Sequence, residues 1–192
     1  MKLAPALEAF AINPTGMACA DLGCHVGGFT DCLLQHGAAS VHAVDTGYGV
    51  LAWKLRQDER VVVLERTNVL HFSPGDLEGF TGCDLVVMDL GWTRQHRAVP
   101  AALPWLKGGG GKAITLIKPQ YEQGQDARGR GVLDDDNAAK IAEQVIVELP
   151  QLGVRVVRWM PCPVRGGGSR RGKGNLEFLA LLVPEAPGGQ DS

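Results

Sequence analysis

The chain has 192 residues, 45% apolar and 21% charged, with a formal net charge of −2. That length fits one domain with a full core, the composition is that of an ordinary globular protein, and the total charge alone suggests no nucleic-acid partner. The amino terminus lacks the apolar run of a signal peptide, and no stretch approaches the roughly 18 apolar residues of a membrane span, so a soluble, cytoplasmic protein with no membrane partner is expected.

In chain order, Leu3 to Phe10 reads as a short amphipathic helix, with Pro5 tolerable in its first turn. After the turn Asn13 to Gly16, a first strand begins at Ala18 and ends in Asp21, followed by a turn carrying Gly23, Gly27 and Gly28 and a helix opening at Phe29. Val41 to Asp45 is a second strand ending in an acid, and the loop TGYGV feeds a helix to about Gln57. The β-branched run Arg60 to Glu65 is a third strand, with Thr67 and Asn68 just beyond it, and Leu85 to Asp89 is a fourth. His96 to Leu106 is helical, kinked or split by Pro100 and Pro104, and Ala113 to Lys118 is a fifth strand stopped by Pro119.

Gln120 to Asp136 is polar and reads as a mobile loop over the site. Asp136 or Asn137 should cap a helix to about Leu149. Val154 to Trp159 is a sixth strand and Asn175 to Val183 a last one, joined by the basic loop RGGGSRRGKG. A single domain is expected over 1–183, with 184–192 a disordered tail. Alternating strands and helices give an α/β, Rossmann-like fold: a mostly parallel seven-stranded sheet with helices on both faces and one antiparallel strand in a C-terminal hairpin. The five cysteines form no CxxC pair and are odd in number, so they read as reduced structural thiols, and no metal site is expected.

The turn after the first strand has the spacing DxGxxxGG, which differs from the GxGxxG of dinucleotide enzymes and counts against an NAD-dependent oxidoreductase. Asp45 lies 24 residues after Asp21, where a second-strand carboxylate can accept both ribose hydroxyls of an adenosine cofactor. The alternative is a βαβ unit whose turn only caps a helix. Ligands of such sheets sit outside the carboxyl ends of the strands, and those ends carry Asp21, Asp45, Asn68, Asp89 and Lys118. The first three suit a cofactor half; Asp89 and Lys118 suit a reacting half, holding a hydroxyl between ammonium and carboxylate. On residues alone, Asp89 could equally cap a helix, Lys118 could be a solvated lysine, and Glu177 could lie on an exposed strand face. Charge is local: Arg155 to Lys173 holds six basic residues and no acid, a docking place for a polyanion or a solvated loop.

Taken together, DLGCHVGGFTDCLL, AVDTGYGVLAWKLR, VVVLERTNVL, DLVVMDLGW, LIKPQYE and GNLEFL resemble the TlyA/FtsJ-type RNA methyltransferases, collinear from Lys2 to about Leu182. The resemblance implies a methyl group moved from S-adenosylmethionine to a ribose 2′-hydroxyl of RNA, ribosomal RNA in the first instance. It implies a catalytic tetrad of Lys2, Asp89, Lys118 and Glu177. It places the cofactor against Asp21, Gly23, His25, Gly27, Gly28, Phe29, Asp45, Asn68 and Asp89, and Trp92 where an aromatic can stack on the target base, the alternative for Trp92 being a packed core residue. Phosphate contacts would fall to Arg128, Arg130, Arg165, Arg170, Arg171 and Lys173. TlyA-type proteins usually carry an amino-terminal S4-like domain that is not seen here. Lys2, second in the chain, is expected to be disordered unless the helix after it docks firmly. The competing readings are a methyltransferase for a non-RNA substrate and a catalytically silent adenosine-cofactor or RNA-binding module.

Overall fold

A computed structural model describes residues 2–122, 132–167 and 174–185. Among these, seven strands form one sheet: β1 (Ala18–Leu22), β2 (Ser40–Val44), β3 (Val61–Leu64), β4 (Leu85–Met88), β5 (Lys112–Ile117), β6 (Val154–Pro161) and β7 (Phe178–Pro184). Their order is β3-β2-β1-β4-β5-β7-β6. Strands β1 to β5 pair in parallel, while β7 runs antiparallel to both β5 and β6. This is a Rossmann-like sheet whose strand order reverses between β1 and β4, the place where such folds open a crevice.

The helices are α1 (Leu3–Ala9), α2 (Gly28–Gln35), α3 (Trp53–Arg56), α4 (Gln95–Ala102), α5 (Pro119–Glu122) and α6 (Asp135–Glu148). The central strands bury both faces, which is why they read as unbroken apolar runs rather than alternating ones. Cys19, Leu85, Val87 and Ile114 pack toward α1 and α2, with Leu3, Leu7 and Leu33. Ala20, Val86, Met88 and Ala113 pack on the other face with Val99, Trp105, Ala142 and Val145 of the α4 and α6 side. All five cysteines are free and buried, and burial pushes the Cys19 and Cys83 thiols up to about 12. They are packing residues, not nucleophiles.

Several boundaries differ from the sequence reading. Strand β1 runs one residue past Asp21, which stands in register with Ala43 and Val87 inside the sheet. The helical stretch after His96 divides at Leu103 into α4 and a 3-10 turn, Leu103–Trp105, because Pro104 has no N–H to continue the ladder. The cap of α6 is Asp134, whose side chain accepts the N–H of Asn137; Asp136 and Asn137 themselves lie inside the first turn. The segment read as loop from Gln120 begins instead as α5. Asn175 pairs with Gly166 in a separate bridge, so β7 starts at Phe178 and leaves Glu177 in the approach to the strand. Pro184 closes β7, and Glu185 N–H donates to the Gly153 carbonyl at 2.9 Å, so the expected tail starts too early. Residues 186–192 lie outside the described residues.

Candidate active site

The glycine turn is shaped by the protein's own atoms. Gly23 has φ +88, and a Cβ there would stand 2.6 Å from the Asp89 carbonyl oxygen. Gly27 has φ +96, and a Cβ would run into the Leu55 side chain; only Gly28 faces open space. The turn therefore needs Gly23 and Gly27 for conformation and for packing against Asp89 and α3. His25 is also left-handed, with φ 47, and its N–H donates to Asp45 Oδ2 at 2.9 Å. Asp45 Oδ1 takes the Gly47 N–H at 2.7 Å. Asn68 Oδ1 accepts from Leu70 N–H at 3.0 Å, closing a turn beyond β3.

Asp21 does something the sequence did not suggest. Its Oδ2 accepts both the N–H and the hydroxyl of Thr30, at 2.8 and 2.7 Å. Helix α2 is entered through Gly27, which has no side chain to cap it, so Asp21 does so from the neighbouring strand. Its other oxygen is buried without a partner. Burial pushes the carboxyl up to about 7, aided by the charges of Asp89 and Asp45 and opposed by the Thr30 bonds. A cavity of about 230 Å³ opens here, with Asp21, Gly28, Phe29, His25, Lys2 and Asp89 in its walls.

Two of the cavity's wall residues, Lys2 and Asp89, connect to two further charged residues behind them. Lys118, the first residue after β5, forms an ion pair with Asp89 Oδ1. Lys2 Nζ lies 2.7 Å from Glu177 Oε2 and 4.0 Å from Asp89 Oδ2. Lys118, Asp89, Lys2 and Glu177 thus form one chain of alternating charge. Lys2 is not loose: it precedes α1, which is anchored by Leu3 and Ala6, both fully buried. Desolvation pulls its ammonium down, but the hydrogen bond and charge of Glu177, with Asp89, outweigh this and leave it above the ordinary lysine value. Glu177 is buried, its carbonyl taking the Cys162 N–H at 2.8 Å. A Cβ at Gly166 would overlap its carboxylate. The sequence offered no signal for Gly166 beyond its place in a glycine run.

Residues 1–181 match the model of the FtsJ-like methyltransferases. The chain belongs to that family. It is 41% identical over 183 residues to the 16S/23S rRNA (cytidine-2′-O)-methyltransferase TlyA of Mycobacterium tuberculosis, a match covering 94% of this chain and 65% of that one. Hemolysin A of Brachyspira hyodysenteriae is 34% identical, covering 95% of this chain and 74% of its own length. A solved structure from Streptococcus thermophilus, described as a hemolysin candidate, has 34% identity and a TM-score of 0.85 over 96% of this chain and 65% of that one. An S-adenosylmethionine-dependent methyltransferase of Mesorhizobium loti, 17% identical with a TM-score of 0.63, shares the fold.

Among the cations expected to meet RNA, this FtsJ-like chain employs Arg165 internally. Its guanidinium grips both oxygens of Asp135 at 2.8 Å and the Gly174 carbonyl at 3.2 Å. Arg128, Arg130, Arg170, Arg171 and Lys173 lie outside the described residues. Two aromatics near the site are exposed, Trp92, which the sequence reading names, and Tyr48, which it does not. Trp92, 82% exposed with φ 52, follows three residues after Asp89. Tyr48 lies beneath the Arg66 guanidinium, 4.1 Å from ring centre to carbon. No helix among the described residues is long and apolar enough to cross a membrane.

Proposed function

We propose that this chain methylates a ribose 2′-hydroxyl of ribosomal RNA, with S-adenosylmethionine as methyl donor. The observation that carries the reading is the alternating Lys118, Asp89, Lys2 and Glu177 chain, whose two middle members, Asp89 and Lys2, line a cavity walled by the glycine turn. The residues present fit the cofactor. The unpartnered buried oxygen of Asp21, with Asp89 beside the same cavity, suits a ligand that carries a sulfonium and an ammonium. Gly23, His25, Gly27 and Gly28 would frame it, Asp45 would meet its ribose and Asn68 its adenine edge. When bound, it supplies an already activated methyl group.

The protein's own contribution is then alignment and charge. Lys118 faces the hydroxyl and favours its alkoxide, while Asp89 fixes the lysine and Glu177 fixes Lys2. The Mycobacterium tuberculosis relative is named for cytidine 2′-O methylation of 16S and 23S rRNA, which supports a ribose in ribosomal RNA as acceptor. Trp92 offers a stacking face for an unstacked base. The protein is read as cytoplasmic, where ribosomal RNA is made and modified.

Two measurements test this. Calorimetric titration should show binding of S-adenosylmethionine and S-adenosylhomocysteine and none of NAD. Lys118→Ala should abolish methyl transfer to ribosomal RNA while leaving cofactor affinity nearly intact. Loss of both together would show that Lys118 has been given the wrong role.

A further inference from the structure

Lys118 sits where the sheet gives it least support. The parallel ladder between β4 and β5 ends at Met88 and Thr115, because the chain leaves β4 at Asp89. Leu116 and Ile117 pair only with β7 on their other side. The missing bond on the β4 side is supplied by a side chain. Gln95, the first residue of α4, is only 4% exposed. Its Nε2 donates to the Leu116 carbonyl at 3.3 Å, and its Oε1 accepts the buried Thr115 hydroxyl at 2.7 Å. Its backbone N–H donates to Glu122 Oε1 at 3.0 Å. One residue therefore holds the chain two and three residues before Lys118 and four residues after it.

We infer that Gln95 is a positioning residue for Lys118, extending the β4–β5 ladder past the point where β4 departs and fixing the Lys118–Asp89 pair through Thr115, Leu116 and Glu122. The inference rests on the tetrad reading above. Arg94 provides no side-chain cap for α4, so Glu122, on the segment that carries Lys118, caps it instead. The stretch Leu90 to Arg94 is thereby pinned at both ends: Asp89 N–H donates to the Leu22 carbonyl at 3.0 Å, and Gln95 holds the far end. A neutral amide is the right group, since it needs one donor and one acceptor in a dry place and brings no charge beside the tetrad.

The test is Gln95→Met, which keeps length and volume and removes both amide bonds, with Val99→Ala as control. Val99 is a buried residue of the same helix outside the network. Gln95→Met should lower kcat for methyl transfer by on the order of tenfold or more, with KM for RNA and Kd for the cofactor within about twofold of wild type. Thr115→Ser, which keeps the hydroxyl, should restore nothing because it should lose nothing; Thr115→Val should fall between. Amide hydrogen exchange over residues 116–122 should quicken in Gln95→Met and not in Val99→Ala, an outcome independent of the acceptor. If wild type transfers no methyl group, the functional reading has failed, and exchange still decides the positioning role. Equal losses of kcat in Gln95→Met and Val99→Ala, or unchanged exchange, would overturn it.

Discussion

On the glycine-turn side of the cavity Asp21 and Asp45 are held by neutral N–H and hydroxyl groups; on the other side Asp89 and Glu177 are held by ammonium groups. Asp21 is held by Thr30, and Asp45 by His25 and Gly47. The Glu65 carboxyl is kept below its ordinary range by the Gly49 N–H, against desolvation, with help from Arg56 and the N–H groups of Leu51 and Val50. N–H groups orient a carboxylate without supplying a countercharge, so this half offers acceptor oxygens at Asp21 and Asp45 with no cation held against them, which suits a cationic cofactor. Across the cavity, two ammonium groups and two carboxylates nearly balance. A balanced array can stabilise an anion that appears only during reaction, because each lysine is already in place and needs no reorganisation.

The largest expected effects come from breaking each half alone. Gly166→Ala places a methyl group where the Glu177 carboxylate lies, and the Glu177 backbone is tied to Cys162, so the carboxylate must leave Lys2. Methyl transfer should fall by on the order of a hundredfold, with cofactor affinity unchanged in calorimetry. Asp45→Asn should do the reverse, weakening cofactor binding by on the order of tenfold while kcat at saturating cofactor stays within a few-fold. Were each variant to damage both properties equally, the division into two halves would be wrong.

The same division explains what could be read from the sequence. Asp45, Asp89 and Lys118 were legible because each follows directly on an apolar run, and β2, β4 and β5 end one residue before them. Lys2 and Glu177 were not legible from residue pattern. They lie 175 positions apart, and a glutamate before an apolar strand looks the same whether it faces water or a buried lysine. Only the family resemblance singled them out. Asp21 was read as a strand end facing ligand; it does line the cavity, but its Oδ2 also caps α2, a role the sequence hid because a cap contributed by another strand leaves no local pattern. The cap of α6 was ambiguous for a different reason. Asp134, Asp135, Asp136 and Asn137 are all capping types, and tertiary ties choose the frame: Leu133 N–H to Asn175 and Asp135 to Arg165.

A smaller effect separates the two halves by pH. Asp21 and Glu122 both have carboxyls pushed up to about 7, chiefly by burial. Between their unfolded values and about 7 the native state holds more protons than the unfolded chain, so stability from these groups is full at acid pH and declines as pH rises through that window. Asp21→Asn retains an acceptor for Thr30 and places a neutral amide where an oxygen now lacks a partner. Melting temperature measured from pH 5 to 8 should therefore decline less in the variant than in wild type. A parallel decline in both would mean that Asp21 is ionised in the native state across the range, so that folding binds no proton there.

The smallest expected effect marks the limit of the comparison. Asp134 lies on the reacting side, yet like the acids of the cofactor half it is held by N–H groups, from Asn137 backbone and side chain at 2.9 and 2.6 Å. If the holding partner and not the address decides what an acid does, Asp134 is purely structural. Asp134→Ala should cost the protein no more than a few degrees of melting temperature, the loss of one exposed helix cap, and leave kcat and cofactor affinity as they are. A loss of kcat without a matching loss of stability would mean that the start of α6 reports to the tetrad, with the Arg165–Asp135 pair as the connection, and the two halves would have to be redrawn around that contact.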